Sequence, residues 1–160
     1  MIPANVTPEV AALGIALGLV FSLVCYLTTN LSPGGMITPG WLALTLVTDL
    51  QKAGLVLGVT AVTYLATVAL QRVVILYGKR LFAAVVLIAV VLQMSVMLAL
   101  QSQFPLLYTS QTLGFIVPGL IAYQLVRQPR AATVISTASV TLATYVVLAA
   151  GLLLGALPTA

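Results

Sequence analysis

Gly35-Met36-Ile37-Thr38-Pro39-Gly40-Trp41-Leu42-Ala43 has a second copy in the same chain, Gly114-Phe115-Ile116-Val117-Pro118-Gly119-Leu120-Ile121-Ala122. Gly, Ile, Pro, Gly and Ala recur at the same offsets, and each copy sits in a short apolar segment. Proline lacks a backbone N–H and clashes with the preceding helical turn. Glycine admits backbone angles that other residues avoid. A Pro-Gly pair within hydrophobic sequence therefore breaks a helix. Two such breaks at corresponding places in two halves of a chain point to the functional centre of a membrane protein.

Around the breaks lie four apolar stretches long enough to cross a bilayer, which takes about 20 residues each. They cover roughly residues 9–28, 53–70, 81–100 and 131–154, while the two Pro-Gly segments cover 36–48 and 113–126. The order is long, short, long, then long, short, long, with the join near Tyr77-Gly78-Lys79-Arg80. This predicts one transmembrane domain over residues 1–160, built from internal repeats at about 9–72 and 81–154.

Composition supports a membrane class. The chain has 160 residues, 62% hydrophobic and 5% charged, with a mean hydropathy of +1.23. A soluble surface typically carries about 25–35% charged residues. There is no His, and the one cysteine, Cys25, lies in the first apolar run. That composition excludes a disulfide, a Cys/His zinc site and a Cys-His nucleophile pair within the chain. The two acidic residues, Glu9 and Asp49, are far apart in sequence, which argues against paired-carboxylate catalysis and a carboxylate-held magnesium. No catalytic or metal-binding residue is expected. The net charge of +4 reads as an orientation signal, and the basic residues are too scattered for a nucleic-acid footprint. The first span lacks a basic leader, so it reads as a retained span.

The positive-inside rule decides between crossing and re-entrant short segments. If both cross, Arg72, Lys79, Arg80, Arg127 and Arg130 share one side, and Lys52 alone takes the other, beside Asp49. If neither crosses, the cations divide evenly. The uneven division favours six passes, with both termini outside the cytoplasm. Three passes per repeat make the two repeats inverted. The expected fold is therefore an all-α integral membrane protein of two inverted three-helix repeats, each with a Pro-Gly-broken short helix, the breaks facing each other near mid-membrane.

Thr38 is a candidate N-cap for a helix whose first residue is Pro39; Val117 cannot cap in that way. Backbone groups freed in lipid must find protein or trapped water, so both breaks belong inside the bundle. A helix N-terminus there presents partial positive charge to an anion. Thr38, Pro39, Gly40, Trp41, Pro118 and Gly119 are the candidate substrate path. The plain alternative is that the breaks are packing kinks. Gly14 and Gly18, Gly54 and Gly58, and Gly151 and Gly155 each make a small-xxx-small spacing suited to close helix packing and homo-oligomer contact. Tyr64, Tyr77, Tyr108 and Tyr123 fit interface anchors. The cations Arg72, Lys79, Arg80 and Arg127 fit either lipid headgroup contact or a cytoplasmic rim for an anionic substrate or partner.

Pro33 to Leu44 resembles a stretch of the poly-gamma-glutamate biosynthesis family called PgsC or CapC. So do Thr63-Tyr64-Leu65, Ile75-Leu76-Tyr77-Gly78-Lys79-Arg80 with Phe82-Ala83-Ala84, and the second Pro-Gly phrase followed by Arg127-Gln128. These blocks keep the family's order over about residues 9–137. The chain departs from the pattern at Thr28-Thr29-Asn30 and at Leu81, where the family carries charges.

The resemblance implies a non-catalytic subunit of a capsule or secreted-polymer synthase in the bacterial cytoplasmic (inner) membrane. A cytoplasmic, Mur-ligase-like amide ligase of the PgsB/CapB type would be its partner and would hold ATP and Mg. A further membrane-anchored subunit often accompanies the two. No cofactor is expected in this chain, which has no glycine-rich phosphate loop. Arg72, Tyr77, Lys79, Arg80, Arg127 and Gln128 would guide the polyanion or dock the ligase. A self-sufficient small-solute transporter and a structural anchor are the alternative readings.

Overall fold

The computed structural model describes residues 8–48, 50–101 and 116–153. These residues form helices α1 (Pro8–Thr29), α2 (Thr38–Thr48), α3 (Leu50–Val73), α4 (Gly78–Gln101), α5 (Val117–Arg127) and α6 (Arg130–Leu153). There is no strand among them. α1, α3, α4 and α6 are long and apolar enough to cross a membrane. α2 and α5 have 11 residues each, about 16 Å of helix, so neither spans a hydrocarbon core of about 30 Å by itself. The long-short-long order, twice over, is the order expected, and the chain is an all-α integral membrane protein.

The distribution of side chains suits lipid. Leu27, Leu57, Leu65, Leu87, Leu98, Ile135 and Val146 are exposed, whereas Ser22, Thr38, Thr60, Thr63, Thr67, Thr133 and Thr144 are buried. A buried hydroxyl in a helix is satisfied by donating to the carbonyl four residues back. Thr60, Thr63 and Thr67 do so onto Val56, Val59 and Thr63, each at 2.7 Å. Thr144 does so onto Val140 at 2.8 Å.

Two compact units divide the helices. Met1–Ala53 with Gln128–Ala160 make the first and Gly54–Arg127 the second. The first unit therefore groups α1, α2 and α6, and the second groups α3, α4 and α5. This division does not follow the expected repeats: α3 lies with α4 and α5, and α6 lies with α1 and α2.

In the first unit α1 ends on Asn30, whose φ of 57° and N–H bond to the Tyr26 carbonyl at 2.8 Å make a left-handed helix stop. Gly34 and Gly35, also at positive φ, turn the chain back. α2 then runs antiparallel to α1, since Leu44 lies against Gly14 and Gly40 lies against Gly18. The link from Asn30 and α2 together retrace the length of α1. α6 is antiparallel to α1 as well. Its leading Gln128, with the amide turned to suit both partners, pairs with Ser32 at 3.1 and 3.2 Å, and Leu148 reaches Gly14. The start of α1 and the end of α6 therefore lie at one end of this unit.

Two Pro-Gly helix starts and a cationic end

Each Pro-Gly phrase opens a short helix, and both open in the same way. The Ile37 carbonyl accepts from the Trp41 N–H at 3.2 Å, and the Ile116 carbonyl accepts from the Leu120 N–H at 3.1 Å. The isoleucine is thus the flanking residue in both copies, and helix begins at Thr38 and Val117. This corrects the expected cap. Thr38 is inside the helix, and its hydroxyl donates back to the Gly34 carbonyl at 2.9 Å. Val117 needs no capping side chain for the same reason. The prolines fall in the first turn, where the absent N–H breaks no helical bond. Thr38, Pro39, Gly40, Trp41, Val117, Pro118 and Gly119 are all buried, so both breaks lie within protein.

The long helix beside each start carries a buried stripe at strict four-residue spacing. On α1 it is Val10, Gly14, Gly18 and Ser22; on α4 it is Leu81, Val85, Ala89 and Gln93. The close approaches correspond residue for residue. A Cβ on Gly40 would meet Gly14 O at 2.9 Å, Ile15 Cα at 3.0 Å and Gly18 Cα at 3.2 Å. A Cβ on Gly119 would meet Val85 O at 3.6 Å, Val86 Cα at 3.2 Å and Ala89 Cβ at 3.0 Å. Glycine on both sides brings α1 and α2 into backbone contact, and an alanine methyl holds α4 and α5 slightly further apart.

The third helices carry a second repeated phrase, Val59-Thr60-Ala61-Val62-Thr63-Tyr64 on α3 and Val140-Thr141-Leu142-Ala143-Thr144-Tyr145 on α6. Its Val and both Thr are buried in each copy. Neither the stripes nor this phrase is visible from the Pro-Gly repeat alone. Aligning the two halves residue by residue across their long helices exposes both.

The other sequence-predicted residues fall as follows. Gly14 and Gly18 pack inside the first unit. Gly54 and Gly58 have nothing within 4 Å of an added Cβ, so their spacing faces no partner among the described residues. Gly151 is half-buried, and Gly155, Asp49, Tyr108, Gly114 and Phe115 lie outside the described residues. Gln128 is held by Ser32 in the first unit.

Arg72, Tyr77, Lys79, Arg80 and Arg127 come together at one end of the second unit, all exposed. Arg72 ends α3 and Arg127 ends α5, where cations complement the helix dipole. The last turns of α5 reach the first turn of α4: Tyr123 and Val126 pack on the Leu81–Val85–Ala122 core, and Phe82 meets Tyr123 edge-on at 5.2 Å. Arg127 is steered by Tyr123, with its guanidinium 5.4 Å from the ring centroid and Nη1 donating to the phenol oxygen at 3.1 Å. Lys79 and Arg80 open α4, where like charge opposes the dipole. Both acidic residues of the chain, Glu9 and Asp49, belong to the first unit, so no carboxylate of the second unit neutralises this end.

Comparison with known proteins sets this arrangement in a family. The family described as Capsule biosynthesis CapC matches residues 17–134, which include both short helices and the whole cationic end. The chain belongs to the CapC family. It is 30% identical over 141 residues to the capsule biosynthesis protein CapC of Bacillus anthracis, and 31% identical over 141 residues to the PGA biosynthesis protein CapC of Bacillus subtilis (strain 168). Each match covers 85% of this chain and 91% of the relative. No solved structure matches. The family match includes the blocks through which the sequence resembled CapC, from Pro33 to Arg127-Gln128.

Proposed function

We propose that this chain is the non-catalytic membrane subunit of an ATP-dependent poly-gamma-glutamate synthase and export complex in a bacterial cytoplasmic membrane. The CapC relatives, named for capsule and PGA biosynthesis, support the pathway. The observation that carries the reading is the cationic end of the second unit, a unit with no carboxylate of its own. Lys79 and Arg80 oppose the dipole of the helix they begin, so their position serves a partner and not the helix. A polyanion, or the acidic surface of a cytoplasmic ligase, is the chemistry such an end attracts. ATP and Mg belong to that ligase, of the Mur-ligase-like PgsB/CapB type. A further membrane-anchored subunit completes the assembly, several copies of this chain surround the exit path, and both termini lie outside the cytoplasm. The buried helix starts at Pro39-Gly40 and Pro118-Gly119 present backbone amides to passing carboxylates.

The test is co-expression with the ligase in a host lacking both, scoring ATP- and glutamate-dependent polymer in membranes. Polymer only when both chains are present supports the reading. Full polymer from the ligase alone, or no association between the two, overturns it. Solute uptake by the purified chain in liposomes, without ligase, would replace it with a transporter.

A further inference from the structure

Two hydroxyls in the first unit break the pattern set by the rest. Thr28, Thr38, Thr45, Thr48, Thr133, Thr137 and Thr144 of that unit each donate to the carbonyl four residues back. Ser22 Oγ and Thr141 Oγ1 are buried and have no hydrogen-bond partner, with Ser22 0% and Thr141 6% exposed. Helix register brings them to one level. Gly14 meets Leu148, and Ser32 meets Gln128, so with about 1.5 Å of rise per residue on antiparallel helices Thr141 lies opposite residues 19–21 of α1, within a turn of Ser22. Thr141 shares a face with Thr144 and Leu148, the face turned to α1. Ser22 continues the Gly14–Gly18 stripe that meets α2, one turn beyond Gly18 and level with Ile37, just outside the first turn of α2. The N–H groups of Thr38 and Gly40 open that turn and have no carbonyl within the helix to bond to.

We propose that Ser22, Thr141 and the N-terminus of α2 form a carboxylate-binding site inside the first unit. This rests on the polyanion reading above and gives it a place. Two hydroxyl donors, two amide donors and the positive end of an 11-residue helix match a carboxylate's acceptor-only oxygens. No side-chain cation completes the site, so it binds weakly, as a site on a conducting path must in order to release. The second unit replaces Ser22 by Gln93 and Thr38 by Val117 at the equivalent positions, which makes the site specific to the first.

Trp41, the chain's one tryptophan, follows Gly40 directly and reports on the site. The full chain in lipid nanodiscs is titrated with glutarate, and with neutral glutaramide as control, following Trp41 emission. A saturable change with glutarate alone is expected, weakened at least about tenfold in Ser22→Ala/Thr141→Val, the equivalent of one or two lost hydrogen bonds. Ser22→Thr/Thr141→Ser keeps both hydroxyls and should keep the titration. Removing unpartnered hydroxyls does not threaten folding, so the double variant remains interpretable, and its thermal midpoint is measured alongside. No saturable change in the parent chain, or the same curve in the double variant, overturns the site. Polymer yield decides the other question separately. Lost binding with normal yield leaves the site standing and removes it from the exit path.

Discussion

Gly18 of α1 and Gly40 of α2 meet backbone to backbone, and neither has room for a methyl group. The atoms in the way on Gly18 are Gly40 Cα and N, which cannot rotate aside as a side chain does. The α1–α2 crossing is therefore set by the absence of side chains, as in small-xxx-small contacts between membrane helices.

Gly18→Ala should cost on the order of 3 kcal/mol, because relief requires the helices to separate. Thermal unfolding in detergent checks this. Gly54→Ala and Gly58→Ala meet nothing and should change stability by less than about 1 kcal/mol. A large drop at either would show that the α3 glycine face is covered in the assembled protein.

The two helix starts should respond unequally. A methyl on Gly40 meets only backbone of α1, whereas one on Gly119 meets the Ala89 methyl and the Val86 Cα. Gly119→Ala paired with Ala89→Gly should recover most of what Gly119→Ala loses. No single small substitution on α1 can rescue Gly40→Ala, since Gly14 and Gly18 are already glycine. A double-mutant cycle on unfolding midpoints measures the difference.

Lys79→Gln/Arg80→Gln should lower polymer yield severalfold at unchanged membrane level, and should slightly stabilise α4 by removing cations from its first turn, by about 0.3–1 kcal/mol each. Immunoblotting, polymer assay and thermal unfolding of the same strain series are sufficient. A yield equal to the parent's would remove these two residues from the function.

Tyr123→Phe deletes the hydrogen bond to Arg127 and keeps the ring that packs on Phe82. At this exposed site the stability change should stay within about 1 kcal/mol. Tyr123→Leu loses the edge-on pair and the cation–π contact together, and should cost more. If Arg127 must be aimed, polymer yield should follow the ring and not the hydroxyl.

The order of elements was legible because apolar length and Pro-Gly breaks are local signals. The six segments fall within a few residues of the helices they predict. The cap falls at Ile37, one residue before Thr38, although Thr-Pro-Gly also fits a capping pattern. Only the bond from Trp41 to Ile37, repeated from Leu120 to Ile116, reveals that the isoleucines take that role. Gly14 and Gly18 were legible as packing residues, but their partner Gly40 was not, since register between helices is a tertiary property. Ser22 and Thr141 carry no sequence signal. A serine or threonine in an apolar helix ordinarily bonds its own backbone, and these two stand out only against neighbours that do.

The placing of α6 with α1 and α2 bears on how the protein is made. Translation delivers α1 and α2 early, yet the helix that completes their unit is the last of the chain. Until α6 is inserted, α2 lacks one of the two helices it packs against. A nascent chain stalled or cut before residue 128 would hold α1 and α2 without the helix that completes their unit. The second unit, by contrast, is continuous from Gly54 to Arg127 and is complete before the first. The half that emerges first is the half that finishes last.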